Sequence, residues 1–219
     1  SRMKDFYSSR VDTTRTLAEA IDQAENKPSV FVQASASGIY GTHFHGTEQE
    51  FSGGDESFLS QLCSDWEDAS WTESEGQVRT VVVRIGVVLE KNAGILKKIR
   101  PPFSLYAGGI LGKPGDYISW IHIEDLAGIF MFLASKDHSG VFNAVAPNPI
   151  TNKRLTREVA KVFKKPLWLP NIPQFVMKLL FGEMSAILFA SQRVSSQKLE
   201  KYGYNFQYQN ICRNIFLVT

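Results

Sequence analysis

The sequence predicts a doubly wound α/β fold built on a parallel sheet. Two runs of β-branched and apolar residues, 29–34 and 79–89, have the composition of strands that are buried on both faces. Segments with helical periodicity lie before and between these runs, so helix, buried strand, loop, helix and buried strand follow one another along the chain. This alternation is typical of parallel strands that are covered by helices on both sides.

The first half of the chain supplies most of this pattern. Residues 7–21 place Val11, Leu17 and Ile21 near one face and predict a helix of about four turns. A polar, glycine-containing loop is predicted over 41–54, after the first strand, and a helix over 57–71. The second strand is predicted to run without interruption from 79 to 89.

Strand and helix patterns alternate less regularly in the second half of the chain. A short strand that begins at residue 119 is predicted to run into a helix that ends near 134, with Asp125 as a candidate cap at the start of the helix. Residues 141–145 predict another short strand. From Thr151 onward the sequence is mostly amphipathic helix, including 174–190. We therefore predict a nucleotide-binding domain over 1–150 and a substrate-cap domain over 151–219.

Composition narrows the range of functions. The chain has 219 residues, 43% of them hydrophobic, and Lys+Arg 24 against Asp+Glu 22 gives a net charge of +2 with no block of like charges. This argues against a nucleic-acid partner. The longest apolar run, 126–134, is about half of the ~20 residues that span a bilayer, so it predicts a core helix. Cys63 and Cys212 have neither disulfide-scaffold nor metal-site spacing, which favours a reducing compartment such as the cytoplasm or an organellar matrix.

Two serines follow the first predicted strand directly. Ligands of open α/β sheets bind at the carboxyl ends of the strands, where Ser35 and Ser37 lie. A hydroxyl there can hydrogen-bond a substrate carbonyl, and Gly38 lets the backbone turn sharply. The alternative is that both serines only form the turn. No G-x-S-x-G occurs, so the sequence offers no nucleophile elbow of a serine hydrolase.

Several motifs in this order resemble the extended short-chain dehydrogenase/reductases, and more narrowly the epimerase family of NADP-dependent oxidoreductases related to nucleotide-sugar epimerases. The resemblance covers nearly the whole chain and implies a Rossmann-like sheet. The motifs are S-x-S-G-x-Y-G over 35–41, the strand VVVRIGVVL with Arg84, and the segments 108–129, 142–152 and 172–206.

The resemblance also indicates what this sequence lacks. In the family, a glycine-rich turn joins the first strand to a helix and holds the cofactor pyrophosphate. The 219 residues contain no such turn between a first strand and its helix. Residues 1–14 resemble the fourth helix of the family, so we expect the first two or so βα units to be absent from this sequence.

A second departure concerns the catalytic pair. Extended reductases use Tyr-x-x-x-Lys, in which the lysine lowers the pKa of a tyrosine that shuttles a proton to a carbonyl. The corresponding positions, counted back from Glu67, are Leu59 and Cys63. Neither side chain can replace the pair, although the i, i+4 spacing places both on one helical face.

Other side chains are candidates for chemistry. We predict Ser35 and Tyr40 as the catalytic residues; the alternative for Tyr40 is a packed aromatic. His122 and Asp125 lie near the predicted cleft, where they are better explained as a structural histidine and a helix cap. One polar loop contains three side chains of types that can ligate a metal, His43, His45 and Glu48, but we predict no metal site there.

The resemblance implies NADP as the cofactor. It places Arg10 against the cofactor, where an always-charged guanidinium suits a phosphate; the alternative is a solvated helix arginine. It also places Gly86 and Val87 where the fold approaches the nicotinamide, although both are equally consistent with core. Ala34 and Ser35, at the end of the first strand, complete the predicted cofactor-binding set.

The sequence is consistent with two functions. The first is an NADP(H)-dependent oxidoreductase or epimerase acting on a carbonyl or sugar-like small molecule, favoured by Ser35, Ser37 and Tyr40. The second is a catalytically impaired cofactor-binding or structural subunit, favoured by Leu59 and Cys63, which would function as a homo-oligomer or as a partner in a larger assembly.

Overall fold

A computed structural model describes residues 2–74, 76–90, 93–104, 108–110, 112–167, 172 and 190–211. Its α-helices are α1 (Arg2–Ser8), α2 (Val11–Gln23), α3 (Phe58–Asp68), α4 (Gly94–Ser104), α5 (Ile123–Ser135), α6 (Asn152–Phe163) and α7 (Gln197–Lys201). Its strands are β1 (Val30–Ala36), β2 (His43–Gly46), β3 (Arg79–Ile85), β4 (Val87–Leu89), β5 (Tyr117–Ile118), β6 (Trp120–His122), β7 (Gly140–Ala144), β8 (Ile150–Thr151) and β9 (Ser191–Val194).

The centre of the fold is a parallel sheet with the strand order β1-β3-β7. Val81, Val82 and Val83 in the middle strand have no exposed surface, because helices cover both faces of the sheet at this point. Parallel pairing requires a crossover between successive strands, and α3 and α5 lie in the two crossovers of this sheet. The predicted doubly wound α/β fold is confirmed.

Gly86 divides the second predicted strand into two. The last pair of β3 joins Ile85 to Ala144 of β7, whereas the first pair of β4 joins Val87 to Trp120 of β6. A Cβ atom added at Gly86 would lie 2.6 Å from the carbonyl oxygen of Ser119, so only glycine permits this close approach. The prediction of one uninterrupted strand over 79–89 was wrong at this residue.

The first predicted helix is also interrupted. The structure has α1 and α2 in place of a single helix over 7–21, with the break at Ser9 and Arg10. The Ser9 hydroxyl and the Arg10 guanidinium both donate to the carbonyl oxygen of Phe6, at 3.2 and 3.1 Å. Such local side-chain bonds compete with the helical ladder and accompany the break.

A parallel strand pair connects two segments that were predicted as loop and helix. β2 lies inside the predicted loop 41–54 and pairs with β9, from the C-terminal region. Each strand has only four residues, HFHG and SQRV, and five of these eight residues are polar, so neither carries a recognisable strand pattern.

The start of α5 differs from its prediction as well. The side chain of His122 caps the helix by accepting a hydrogen bond from the backbone N–H of Glu124 at 3.3 Å. The Asp125 carboxylate is fully buried and accepts hydrogen bonds from the backbone N–H groups of Gln207 and Tyr208, both at 2.9 Å. Asp125 therefore anchors the C-terminal segment, and its prediction as the helix cap was wrong.

Residues near the C-terminus pack on the sheet. Leu199 and Phe206 belong to the same buried cluster as Val81, Val83 and Ile129. The division into domains at residue 150 stays a prediction, and the predicted cap helices over 174–189 lie outside the described residues.

Candidate functional site

Three buried polar residues form a row across the sheet. The strand register places Ser35 of β1 opposite Arg84 of β3, and Arg84 opposite Asn143 of β7. Side chains of paired residues project from the same face, so the three polar groups lie side by side. Their exposed fractions are 2%, 6% and 1%, which means that protein groups must satisfy their polar atoms.

Glu67, from α3, covers this row and forms a bidentate ion pair with Arg84. Nε of Arg84 lies 2.9 Å from Oε1 of Glu67, and Nη2 lies 2.8 Å from Oε2. The Ser35 hydroxyl donates to the same Oε1 at 2.6 Å. Burial disfavours the charge of Arg84, but the hydrogen bonds and charges of Glu67 and Tyr40 outweigh burial and raise its pKa. Arg84 is therefore a fixed buried cation.

Tyr40 extends the network. Its hydroxyl donates to Oδ1 of Asn143 at 2.6 Å and accepts from Nη1 of Arg84 at 3.1 Å. Its ring stacks on Phe44 with centroids 4.2 Å apart and is only 3% exposed. Burial raises the pKa of Tyr40, with Arg84 acting in the opposite direction. The phenol is held neutral and engaged, and its role as an acid or base stays a prediction.

Asn143 and Gln192 connect the row to the C-terminal strand. Nδ2 of Asn143 donates to Oε2 of Glu48 at 2.9 Å and to the carbonyl oxygen of Ser195 at 3.1 Å. Nε2 of Gln192, in β9, donates to the carbonyl oxygens of Ser37 and Gly41 at 3.0 and 2.6 Å. The turn after β1 is therefore fixed from the C-terminal region of the chain.

The helix face that carries Leu59 and Cys63 lies against this turn. A Cβ atom added at Gly38 would lie 3.5 Å from Sγ of Cys63 and 3.7 Å from Cβ of Leu59. Burial, followed by the charge of Glu67, raises the pKa of Cys63 to about 11. These two positions therefore lie beside the serine turn, but the thiol is neutral near pH 7 and supplies no positive charge.

Arg10 lies beside Trp66 of α3. Its guanidinium carbon is 3.6 Å from the centroid of the Phe6 ring and 5.6 Å from that of Trp66. Burial lowers the pKa of Arg10, with the nearby Cys63 acting in the opposite direction. Among the described residues, Arg10 forms no ion pair with a carboxylate.

The other predicted cofactor residues occupy different surroundings. Ala34 is half-buried in β1, next to Ser35. Gly86 packs against Ser119 and Val145, and Val87 packs beside the cluster that contains Trp120. Contact of any of these residues with a cofactor stays a prediction.

One glycine triplet in the chain has the spacing G-x-x-G-x-x-G. Gly109, Gly112 and Gly115 lie between the end of α4 and the start of β5. A dinucleotide-binding turn joins a strand to a helix, so this triplet does not meet the structural requirement.

Neither a metal site nor a membrane span is found in the described part of the chain. No group of three His, Cys, Asp or Glu residues within that part could hold a metal ion, and His43, His45 and Glu48 do not form one. Within the same residues, no helix combines the length and apolar character needed to cross a bilayer.

Two curated relatives match most of the chain. The epimerase family protein YfhF of Bacillus subtilis (strain 168) is 37% identical over 209 residues, which are 94% of this chain and 68% of the relative. The chain belongs to this epimerase family. The chloroplastic SDR39U1 homolog of Arabidopsis thaliana is 34% identical over 211 residues, 95% of this chain, and the chain spans 60% of its length. Residues 172–213 match a domain of unknown function, DUF1731.

Two solved structures have the same fold as this chain. Human SDR39U1 (isoform 2), crystallised with NADPH, is 30% identical with a TM-score of 0.88, covering 98% of this chain and 73% of that one. UDP-glucose 4-epimerase of Thermus thermophilus, with NAD, is 18% identical with a TM-score of 0.67, covering 93% of this chain and 66% of that one. The second likeness shows the fold alone.

Sequence reasoning found part of this network. The sequence pattern predicts Ser35 and Tyr40 as site residues, but it does not identify Glu67 or Asn143. The sequence does contain a feature that indicates such residues. A charged or amide side chain inside an otherwise apolar buried strand must find a hydrogen-bond or ion-pair partner. Arg84 in VVVRIG and Asn143 in VFNAVA both have this feature.

Proposed function

We propose that this protein is an NADP(H)-dependent oxidoreductase or epimerase-like enzyme that acts on a carbonyl or sugar-like small molecule. The observation that carries the proposal is the position of Ser35 at the carboxyl end of β1, with its hydroxyl held by Glu67. A hydroxyl at the carboxyl end of a strand can donate a hydrogen bond to a bound substrate and polarise its carbonyl.

The choice of NADP(H) is supported by the human relative crystallised with NADPH and by Arg10. A guanidinium without a carboxylate partner among the described residues, stacked on Phe6 and near Trp66 of α3, fits a phosphate. NADPH would supply hydride to the substrate.

The Ser35 hydroxyl can hydrogen-bond a substrate even though it donates to Glu67 in this structure. Oε1 of Glu67 also accepts from Nε of Arg84, so the carboxylate remains paired when the Ser35 hydroxyl rotates. The hydroxyl can therefore exchange one hydrogen bond for another, and it donates to the substrate carbonyl at small cost.

The test uses the full-length protein and two cofactors. Nicotinamide fluorescence should report tighter binding of NADPH than of NADH, and Arg10→Gln should reduce that preference. Equal or absent binding of the two by the full-length protein would end the proposal. Ser35→Ala should lower turnover of a reducible carbonyl by about 10²-fold or more. Thermal unfolding of the variant checks that it still folds.

A specific observation also supports the second function, a cofactor-binding or structural subunit. Leu59 and Cys63 replace the usual proton-transfer pair, and the Tyr40 hydroxyl is buried in hydrogen bonds. Leu59→Tyr with Cys63→Lys restores the pair on the same helical face, where the lysine can lower the pKa of the phenol. Reductase activity that appears only in the double variant would favour an inactive natural protein, whereas activity of the natural protein would exclude this alternative.

The compartment is a further proposal. The reducing environment predicted from the two cysteines agrees with the buried, neutral Cys63 thiol and with a cytoplasmic or organellar-matrix location. Localisation of a tagged full-length protein tests it.

A further inference from the structure

Two helices that pack together, α4 and α6, both expose basic side chains. They share one hydrophobic core, which contains Leu96 of α4 and Leu155 of α6, and the rings of Phe103 and Phe163 lie 5.8 Å apart. The outer surfaces of the two helices therefore lie next to each other. We name six exposed cations on these surfaces the α4–α6 basic face; they are Lys97, Lys153, Arg154, Arg157, Lys161 and Lys164.

The cations of α6 form a single stripe. One residue turns an α-helix by about 100°, so Lys153, Arg157 and Lys161 follow one another at intervals of about 40° around the axis. Arg154 lies within the same third, roughly, of the helix circumference. These four are all of the exposed residues of α6, whereas Leu155, on the opposite side, is buried. Because other residues are interspersed with them along the sequence, they do not form a block of like charges there.

This arrangement does not stabilise α6. Arg157 lies three residues after Arg154 and four before Lys161, and like charges at these spacings destabilise a helix. Lys153 and Arg154 lie in the first turn, where the positive end of the helix dipole repels cations, and this turn contains no acidic residue. A negatively charged partner would relieve both kinds of repulsion.

The protein supplies little of that negative charge itself. Glu158 is the only acidic residue in the sequence of α6, and α4 has none. Glu158 pairs with Lys161 at 2.8 Å, but the side chain of Lys161 remains 64% exposed, so the pair contributes little. The other five members of the α4–α6 basic face form no ion pair with a carboxylate within the described ranges.

Acidic residues are concentrated in a different part of the chain. Between residues 11 and 78, which include α2 and α3, Arg15 and Lys27 are the only basic residues. The carboxylates of this part include four that line a groove at the ends of α2 and α3, namely Glu19, Asp22, Asp68 and Glu73. A negatively charged surface would therefore attract the α4–α6 basic face, repel the α2–α3 region and orient the protein.

We propose that the α4–α6 basic face binds the protein to an anionic lipid surface. Clusters of about four to eight Lys or Arg residues on an amphipathic helix are typical of proteins that bind anionic lipids. Two neighbouring helices spread the charge over a broad area, which suits a flat array of head groups. Every exposed residue of α6 is Lys or Arg, so this helix offers no aromatic ring or amide to stack on or read a nucleic-acid base. A lipid surface is therefore favoured over nucleic acid.

Co-sedimentation of the full-length protein with vesicles tests the proposal. We expect binding to vesicles of phosphatidylserine and phosphatidylcholine in equal amounts, and none to vesicles of phosphatidylcholine alone. The protein should be released in about 1 M salt, where the screening length falls to about 3 Å. Arg154→Gln with Arg157→Gln should weaken binding about 25-fold, because each basic residue near an anionic surface contributes about fivefold.

Lys136→Gln with Lys201→Gln is the matched control. Both lysines are exposed, and they lie outside α4 and α6, near the contact of the His138 and Tyr202 rings, whose centroids are 4.5 Å apart. This variant loses the same net charge and should bind the vesicles as the natural protein does. Thermal unfolding checks that both variants fold. The Arg154 and Arg157 variant should melt no lower than the natural protein, because its like-charge repulsion is reduced.

Each outcome supports or overturns the proposal. It is overturned by no binding to the anionic vesicles, by equal binding to phosphatidylcholine alone, or by equal weakening in both double variants. Binding of a labelled DNA duplex, measured by fluorescence anisotropy, tests the other class of partner. If Arg154 and Arg157 are required for duplex binding but not for vesicle binding, the α4–α6 basic face is a nucleic-acid site and the lipid proposal is wrong.

Discussion

Neutralising Glu67 should destabilise the protein strongly. The side chains of Glu67 and Arg84 are 8% and 7% exposed, and their bidentate contacts of 2.8 and 2.9 Å leave no room for water between them. Glu67→Gln keeps the shape of the side chain but leaves the buried charge of Arg84 without a counterion. The new amide group faces the guanidinium with either its N–H₂, which is a second donor, or its carbonyl oxygen, which is a weaker acceptor than a carboxylate. Removing one partner of a buried pair costs about 3–5 kcal/mol.

Urea unfolding followed by circular dichroism measures this change. For an m-value of about 2 kcal/mol per molar urea, the midpoint should fall by roughly 2 M. The control is Asp68→Asn, the next residue of α3, which is exposed and should change the free energy of unfolding by less than about 0.5 kcal/mol. A Glu67→Gln variant as stable as the control would refute the buried pair.

A double-mutant cycle separates the pair from its surroundings. Arg84→Met alone leaves the Glu67 carboxylate buried and unpaired, whereas Glu67→Gln with Arg84→Met buries no lone charge. We expect the free energy of unfolding to fall less in the double variant than in the two single variants added together, by about 2 kcal/mol or more. Additive losses would mean that the two charges do not interact.

Three further predictions test other parts of the structure. Cys63, buried and with a raised pKa, should resist alkylation by iodoacetamide in the native state and react only on unfolding, as measured by peptide mass spectrometry; rapid labelling of folded protein would contradict its burial. Hydrogen bonds from Ser57 and Thr42 lower the pKa of Asp55 from 3.8 to about 2, so its contribution to stability is present above about pH 4 and is lost as the pH falls toward 2. Asp55→Asn should therefore lower the melting temperature at pH 7, and its difference from the natural protein should shrink between pH 4 and pH 2; a constant difference would exclude this linkage. Gly86→Ala should destabilise by about 2 kcal/mol or more in thermal unfolding, because the new methyl group meets a carbonyl oxygen at 2.6 Å, and an unchanged melting temperature would disprove the close packing.

Local pattern alone predicted the architecture. Uninterrupted apolar runs indicated strands buried on both faces, and helical periodicity between them indicated a parallel sheet, since the period of a segment depends only on its own side chains. The same logic placed Ser35 at the carboxyl end of a strand and predicted α5 as a core helix, in which Ile129 and Leu133 are fully buried. The motif order indicated the family, which the comparisons with known proteins confirmed.

Only the tertiary structure decided which polar groups meet. The bond between Tyr40 and Asn143 spans 103 residues, and that between Gln192 and Ser37 spans 155. The order and register of strands bring such residues together, and neither follows from the local period of either segment. The β2–β9 pair could not be predicted from local pattern either, because two four-residue, mostly polar strands show no periodic apolar face. They form strands because each satisfies the backbone hydrogen bonds of the other.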